Sequence, residues 1–358
     1  MKILWLANIP SPYRVKFFNE LGKYCDLTVI FEKASSEERD ESWKNNNIDY
    51  FKAIYLKGKS VGVAEAFCPS VIKYLNHNYD HIVVTNYADP TGMMAVFWMK
   101  VRRIAYEIEG DGAFPHENKG IKSAIKKFLF KGAVTCFSTA NLHDDYYLKN
   151  GVDKSLIVRY PFTSISKEEI AYTKISEEEK MQLKKDLSIP ERKIVLAVGQ
   201  FIYRKGYDVL IDAAALLDEE YGFYVIGGTP STEYVDRINR KHLTNFHFID
   251  FMESNELKKY FSVADVFVHP TREDIWGLVI NEAMANGLPI VTTNRCIAGL
   301  EMVKDDDVGV ITEINNPNSL ASGIEVLYNK HNRKKIIEVA KQYTIENMVK
   351  RHLEIWNA

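Results

Sequence analysis

The sequence predicts an α/β protein made of two doubly wound parallel sheets. Short apolar runs of strand length alternate with helix-like segments, the alternation breaks once in a polar stretch near residue 165, and it then restarts from the beginning. Near-continuous apolar strands separated by helices belong to parallel sheets covered on both faces, because a strand buried on two sides has no polar face to show. A second start implies a second sheet, and ligands of such sheets bind beyond the C-terminal ends of the strands.

Segments 3–7, 27–31, 81–85, 104–108 and 133–138 read as buried strands of the first half, and 15–24 and 91–102 carry apolar residues at helical spacing. Residues 164–190 are polar and charge-rich, with Ser176-Glu177-Glu178-Glu179-Lys180 opening a surface helix. Beyond them 194–198, 223–226, 246–249, 266–269 and 289–293 read as strands with helices between. The domain boundary is expected near residue 165.

Composition limits the function. With 358 residues, 46% hydrophobic and 26% charged, the chain fits two soluble globular domains. A formal charge of −2 excludes the strong basic excess of a dedicated nucleic-acid binder. Residues 1–160 hold 22 Lys+Arg against 18 Asp+Glu, a balance of +4, and the remainder 24 against 30, a balance of −6, so the two halves are expected to meet different partners. Cys25, Cys68, Cys136 and Cys296 are scattered without a CxxC, which implies neither a disulfide framework nor a thiolate metal site and suits a reducing cytosol. The opening segment reaches Asn8 and Pro10 after five apolar residues, too few for a signal peptide. No run approaches the roughly 20 apolar residues of a membrane span. A cytoplasmic protein is expected.

The chemistry concentrates in His269-Pro270-Thr271-Arg272-Glu273-Asp274-Ile275-Trp276-Gly277-Leu278-Val279-Ile280-Asn281-Glu282, followed by Ala283-Met284-Ala285-Asn286-Gly287-Leu288-Pro289. A strand ends at His269, a loop carries one arginine and two carboxylates, a helix opens near Trp276-Gly277, and Gly287 and Pro289 close it. Backbone N–H groups and the positive helix end at Gly277, Leu278 and Val279 suit an anion such as a diphosphate. Glu273 and Asp274 also suit plain capping, since acidic residues favour helix N-termini. Glu282 stands in an apolar helix, where a carboxylate is costly unless it is paired or liganded.

This segment resembles the retaining glycosyltransferases of family four, which have the GT-B fold of two Rossmann-like domains facing a central cleft. Their signature is a Glu, seven intervening residues and a second Glu, around an EGFG-like turn and an EAMA-like helix. Asp274 and Glu282 stand at that spacing, with Trp276-Gly277-Leu278 and Glu282-Ala283-Met284-Ala285 in register. The first acidic position is Asp rather than Glu, with Glu273 one residue early. The resemblance implies that Asp274 or Glu273 lies near the transferred sugar and that Glu282 binds the nucleotide ribose.

Two further stretches agree with it. Val198-Gly199-Gln200-Phe201-Ile202-Tyr203-Arg204-Lys205-Gly206 is similar to the family's strand and loop in which an Arg and a Lys neutralise the diphosphate. Lys205 matches; Gln200 occupies the Arg position, and Arg204 lies nearby. Fixed cations there would stabilise the charge that a departing nucleoside diphosphate acquires. Arg295-Cys296-Ile297-Ala298-Gly299-Leu300 resembles the family's glycine-rich turn, with Gly299 letting amides approach the donor; Gly227 after the strand 223–226 is a weaker donor-site candidate. In the first half, Tyr13 and Arg14 follow the rigid turn Asn8-Ile9-Pro10-Ser11-Pro12, and Glu109 and Asp111 flank Gly110; these four are the acceptor-binding candidates. Glu109 falls where many family members place a functional His, and His116 is expected at the surface.

The expected domains are 1–165 for the acceptor, 166–341 for the nucleotide sugar, and a terminal helix in 342–358 returning to the first domain. The expected activity is transfer of a sugar from a nucleoside diphosphate donor, UDP before GDP, to a sugar or lipid-linked acceptor in cell-surface polysaccharide or glycolipid synthesis. No cofactor and no catalytic metal are expected, and Asp305-Asp306-Asp307 reads as a solvated turn. Residues 120–131 form a basic helix with one apolar face, expected either to pack on the core or to dock on an anionic membrane, where each lysine contributes about 1 kcal/mol. The competing readings are another enzyme on the same fold, such as a nucleotide-sugar epimerase or a phosphorylase, and a non-catalytic sugar-nucleotide-binding protein.

Overall fold

In the computed structural model, residues 1–34, 47–61, 65–115 and 120–358 are described. Contacts divide the chain into a first unit, Met1–Ser164 with Thr344–Ala358, and a second, Ile165–Tyr343.

The first unit contains β1 (Lys2–Ala7), β2 (Asp26–Phe31), β3 (Lys52–Tyr55), β4 (Lys59–Ser60), β5 (Ala66–Phe67), β6 (His81–Val84), β7 (Glu107–Glu109), β8 (Thr135–Ser138) and β9 (Ile157–Arg159). Seven of them form a parallel sheet in the order β3-β2-β1-β6-β7-β8-β9, and β4 and β5 pair antiparallel beside it. Ile3 to Ala7 of β1 are all buried, as a central strand covered on both faces requires. The helix Pro12–Gly22 starts with its proline at the first turn, where no N–H is needed, and buries Phe17 and Phe18 edge-on against Trp5 at 5.4 Å each.

On that same core lies the helix Ile345–Trp356, capped by Thr344. His352 stacks on Phe137 at 4.6 Å, and the Trp356 indole donates to Glu107 Oε2 at 2.8 Å. The helix therefore completes the first unit although it follows the second in sequence.

The second unit contains β10 (Lys193–Val198), β11 (Tyr221–Ile226), β12 (Phe246–Ile249), β13 (Val266–His269), β14 (Ile290–Thr293) and β15 (Gly309–Thr312), all parallel, in the order β12-β11-β10-β13-β14-β15. Chain order reverses between β10 and β13, which makes their C-terminal ends the topological switch point of this sheet. The polar stretch before β10 contains the helix Glu177–Asp186, opened by a capping box: Ser176 Oγ accepts from the Glu179 amide at 3.1 Å, and Glu179 Oε2 from the Ser176 amide at 2.8 Å.

One strand lies off its expected place. The apolar run at 104–108 yields a strand only at Glu107–Glu109, because the preceding helix ends at Arg103 in the left-handed region (φ 55°) and Ile104 begins the return to the sheet. β3, β9 and β15 were not among the expected strands; β3 and β9 are edge strands with exposed or half-buried residues, and β15 is a short apolar edge strand, Gly309–Thr312. His116 and part of the loop before the basic helix lie outside the described residues.

Candidate functional site

Beyond the switch point of the second unit, loops from several strands are drawn together by backbone contacts. The amide of Arg272 donates to the Arg204 carbonyl at 2.8 Å, and the Thr271 hydroxyl donates to the same oxygen at 3.0 Å, stitching the loop after β13 to the loop after β10. The loop after β14 joins through the Asp274 amide, which donates to the Arg295 carbonyl at 2.8 Å. After β11, Gly227 approaches so closely that a Cβ would stand 1.9 Å from the Gly199 carbonyl oxygen. Residues 199–206 and 271–282 thus converge within one unit.

Asp274 is the centre of the cluster. Its Oδ2 accepts from Lys205 Nζ at 2.6 Å and faces His269 Nε2 at 3.0 Å, and Arg204 reaches to 3.8 Å. The Arg204 guanidinium donates to the Glu273 carbonyl at 2.6 Å. Although burial opposes its charge, the Asp274 carboxyl is held well below the usual carboxylate range by His269 and Lys205. His269 is 1% exposed, and burial, with Lys205 and Arg204 beside it, lowers its pKa, so the imidazole is neutral. The local balance is two cations against one carboxylate, a net positive charge at the strand ends.

Gly277 explains how the helix Leu278–Ala285 reaches this cluster. Its φ of 100° is one that L side chains rarely adopt, and a Cβ there would lie 2.9 Å from Cys296 Sγ and 3.7 Å from both Asp274 Cγ and His269 Nε2. Among the described residues no side-chain cap is made at Gly277 and no acidic residue stands in the first turn of this helix; the carboxylate beside its positive end is Asp274, whose Cγ is 3.7 Å from where a Gly277 Cβ would stand. Leu278 and Val279 are half-buried at its opening, and Glu282 is half-buried one turn on. Cys296 is buried beside Asp274, its thiol pushed up to about 12 by burial and by that carboxylate.

The sequence left open which carboxylate belongs here. Glu273 turns away and pairs with Arg295. Asp274 alone of the two faces Lys205. Gln200 is exposed on the loop beside Gly199. One other expectation is corrected. The Trp276 indole is 2% exposed and donates to Asn281 Oδ1 at 2.8 Å, so its side chain is core and offers no face to a donor. Gly299 is buried, and a Cβ there would stand 2.4 Å from Thr292 Cγ2, so close packing of the helix Ile297–Met302 on β14 by itself requires a glycine. The residue that sequence reasoning missed is His269, whose signal was its place at the last position of a strand ending at the switch point.

In the first unit the four acceptor candidates form one network. Arg14 donates to Glu109 Oε1 at 2.6 Å and to Asp111, the Tyr160 hydroxyl donates to Glu109 Oε1 at 2.8 Å, and Tyr13 donates to Asp111 Oδ2 at 2.8 Å. Glu109 has no exposed surface and Arg14 is 5% exposed, so neither is open to an acceptor. Their assignment is corrected to a buried ion pair that ties the helix Pro12–Gly22 to the end of β7. Burial opposes the Glu109 charge, but Arg14, and His352 at 3.8 Å, bring its pKa down to about 2. Of the four, Tyr13 and Asp111 retain surface.

Asp305 pairs with Lys335 and Asp307 with Lys330, so lysines meet the acidic turn. Among the described residues no helix is long and apolar enough to cross a membrane. The helix Ile121–Phe130 buries Leu129 and Phe130 but leaves Ile121, Ile125 and Phe128 exposed. Phe128 lies 6.3 Å from the exposed Phe97 of the helix Pro90–Arg102, with Lys100 Nζ 3.8 Å above its ring.

Two Rossmann-like parallel-sheet units in one chain are the architecture of GT-B glycosyltransferases, and the fold is of that class. Anabaena HepE, solved in complex with UDP and glucose, superposes with a TM-score of 0.76 at 16% identity over 100% of both chains. Residues 179–343 match the sequence model of the family described as Glycosyl transferases group 1, so the second unit carries a domain of that family. An uncharacterized glycosyltransferase of Methanocaldococcus jannaschii is 28% identical over 51% of this chain, a stretch that spans about half of that relative (49%). The putative teichuronic acid biosynthesis glycosyltransferase TuaC of Bacillus subtilis is 21% identical over 82% of this chain and 81% of its own.

Proposed function

We propose that the protein is a retaining glycosyltransferase of family four that moves a sugar from a nucleoside diphosphate, UDP before GDP, to a sugar or lipid-linked acceptor in cell-surface polysaccharide or glycolipid synthesis. The observation that carries this reading is the convergence of Lys205, Arg204 and the uncapped helix end at Gly277 around Asp274. The second unit holds the nucleotide, with Glu282 on the ribose and the loop residues Gly199, Gln200 and Gly227 beside it. As the bond from the anomeric carbon to the phosphate oxygen breaks, Lys205, Arg204 and the helix end stabilise the charge on the departing diphosphate. The acceptor hydroxyl bonds the anomeric carbon from the same face, and its proton passes to the departing phosphate. Side-chain cations and a helix end supply this stabilisation without a catalytic metal or cofactor. The teichuronic acid biosynthesis role of TuaC supports a polysaccharide acceptor, and the UDP and glucose bound to HepE support a UDP donor.

The exposed apolar residues Phe97, Ile121, Ile125 and Phe128, with Lys126, Lys127 and Lys131 close by in sequence, support contact with the inner face of the cell membrane. Changing Lys126 and Lys127 to Glu should weaken sedimentation with phosphatidylglycerol vesicles; unchanged sedimentation rejects that contact.

The donor reading is tested by thermal unfolding with UDP, GDP and a panel of their sugars, since a ligand at 100 times its Kd raises stability by about 2.7 kcal/mol. Glu282→Ala should abolish transfer, and undiminished transfer removes Glu282 from the site. Epimerisation or phosphorolysis of the donor would favour another enzyme on this fold. Binding with no turnover in the presence of acceptor glycans would favour a sugar-nucleotide-binding protein.

A further inference from the structure

Asp274 carries an asymmetry. Its side-chain partners Lys205, His269 and Arg204 converge on Oδ2, and among the described residues no hydrogen bond reaches Oδ1. The side chain keeps 12% of its surface, so Oδ1 is the oxygen open to a ligand. The second torsion of an aspartate is soft, and a lysine ammonium is a point charge on a flexible stem. Lys205 by itself therefore does not decide which oxygen faces outward.

We propose that His269 is the positioning residue of this site: its neutral imidazole, donating from Nε2 to Oδ2, sets the rotation of the Asp274 carboxylate so that Oδ1 is presented to a hydroxyl of the donor sugar. The inference rests on the glycosyl-transfer reading and deepens it.

Three features of the surroundings support the assignment. His269 ends a strand and is 1% exposed, so the ring is held by the sheet rather than by solvent. A carboxylate only accepts, which requires the proton on Nε2. Nδ1 is buried with no hydrogen-bond partner among the described residues, so a second proton there would be an unsatisfied buried donor, in addition to facing Lys205 and Arg204. A neutral donor fixes the carboxylate without adding a cation that would compete with Lys205 for it.

Two measurements test the proposal. In the 15N-labelled full chain, the His269 ring should show the Nε2–H tautomer and be neutral at pH 7.5; an Nδ1–H tautomer or a protonated ring at that pH overturns it. The second is calorimetry with UDP together with UDP release from UDP-glucose and UDP-galactose. His269→Leu should bind UDP within about twofold of wild type while kcat falls at least tenfold, and His269→Gln, which restores an N–H at the same reach, should recover kcat to within fivefold. In an Asp274→Asn background, His269→Leu should cost nothing further, and additive losses overturn the proposal. Should the leucine variant fail to fold, a folded glutamine variant decides: lost kcat there overturns the proposal. Failure of the wild type to bind UDP, or to release it from either sugar, counts against the transfer reading, and the ring spectrum of the free chain still decides on His269.

Discussion

Replacing Arg14 by Met removes the guanidinium that holds Glu109. The magnitude follows from the carboxyl itself. Glu109 is fully buried, and its pKa lies at about 2 instead of the ordinary 4.5. That displacement corresponds to about 3 kcal/mol at 1.36 kcal/mol per pH unit, and breaking a buried pair by removing one partner costs a similar 3–5 kcal/mol. Because the folded value is depressed, the wild-type contribution is complete above about pH 4.5 and is lost as pH falls toward 2. Without Arg14, burial becomes the dominant influence and raises the Glu109 carboxyl above its ordinary value. The variant's native state then gains a proton before its unfolded state does, and its stability should rise as pH falls from 7 to 5. Trp5 and Trp356 pack on His352 next to this pair at 5.8 and 5.5 Å, so tryptophan fluorescence in a urea titration reports on the right unit. A variant within 1 kcal/mol of wild type at pH 7, or one whose stability does not climb toward pH 5, would refute the reasoning.

Lys205→Met should lower UDP affinity and turnover by about a hundredfold, the scale of losing one fixed stabilising group, and should also lower stability in urea unfolding, because the buried Asp274 carboxylate loses its 2.6 Å partner; retained turnover in a kinetic assay would remove Lys205 from the site. Trp276→Phe leaves the buried Asn281 amide short of its 2.8 Å donor and should cost about 1–3 kcal/mol in urea unfolding without altering UDP binding in calorimetry. Gly277→Ala places a Cβ 2.9 Å from Cys296 Sγ at a φ of 100°, which should cost at least about 1–3 kcal/mol and weaken UDP binding as the helix end shifts. Ser176→Ala breaks the capping box before Glu177–Asp186 and should lower stability by about 1 kcal/mol, read by thermal unfolding, with activity intact.

Both sheets were legible because their central strands bury both faces: β1, β10 and β13 are apolar runs with no other explanation. The edge strands β3 and β9 carry exposed or half-buried residues and leave no such trace. The cation–carboxylate–helix arrangement of the second unit was legible because Lys205, Asp274 and Gly277 sit at strand-to-helix junctions where the residue types themselves announce a polar site. Glu109 misled for the opposite reason. A carboxylate beside glycines looks like a surface turn, and the partner that lets it be buried stands 95 residues away. No local pattern encodes that pairing. His269 was readable only through its position, since one buried imidazole at a strand end is chemically silent until the orientation of Asp274 is known.

Because Thr344–Ala358 belongs with Met1–Ser164, the second unit is in effect an insertion within the first. On the ribosome, where N-terminal segments ordinarily fold first, the order of completion is reversed. The later-translated Rossmann unit is contiguous and can close as soon as it has emerged. The earlier one must wait for His352 and Trp356 to cover Trp5, Phe17 and Phe137 before its core is complete.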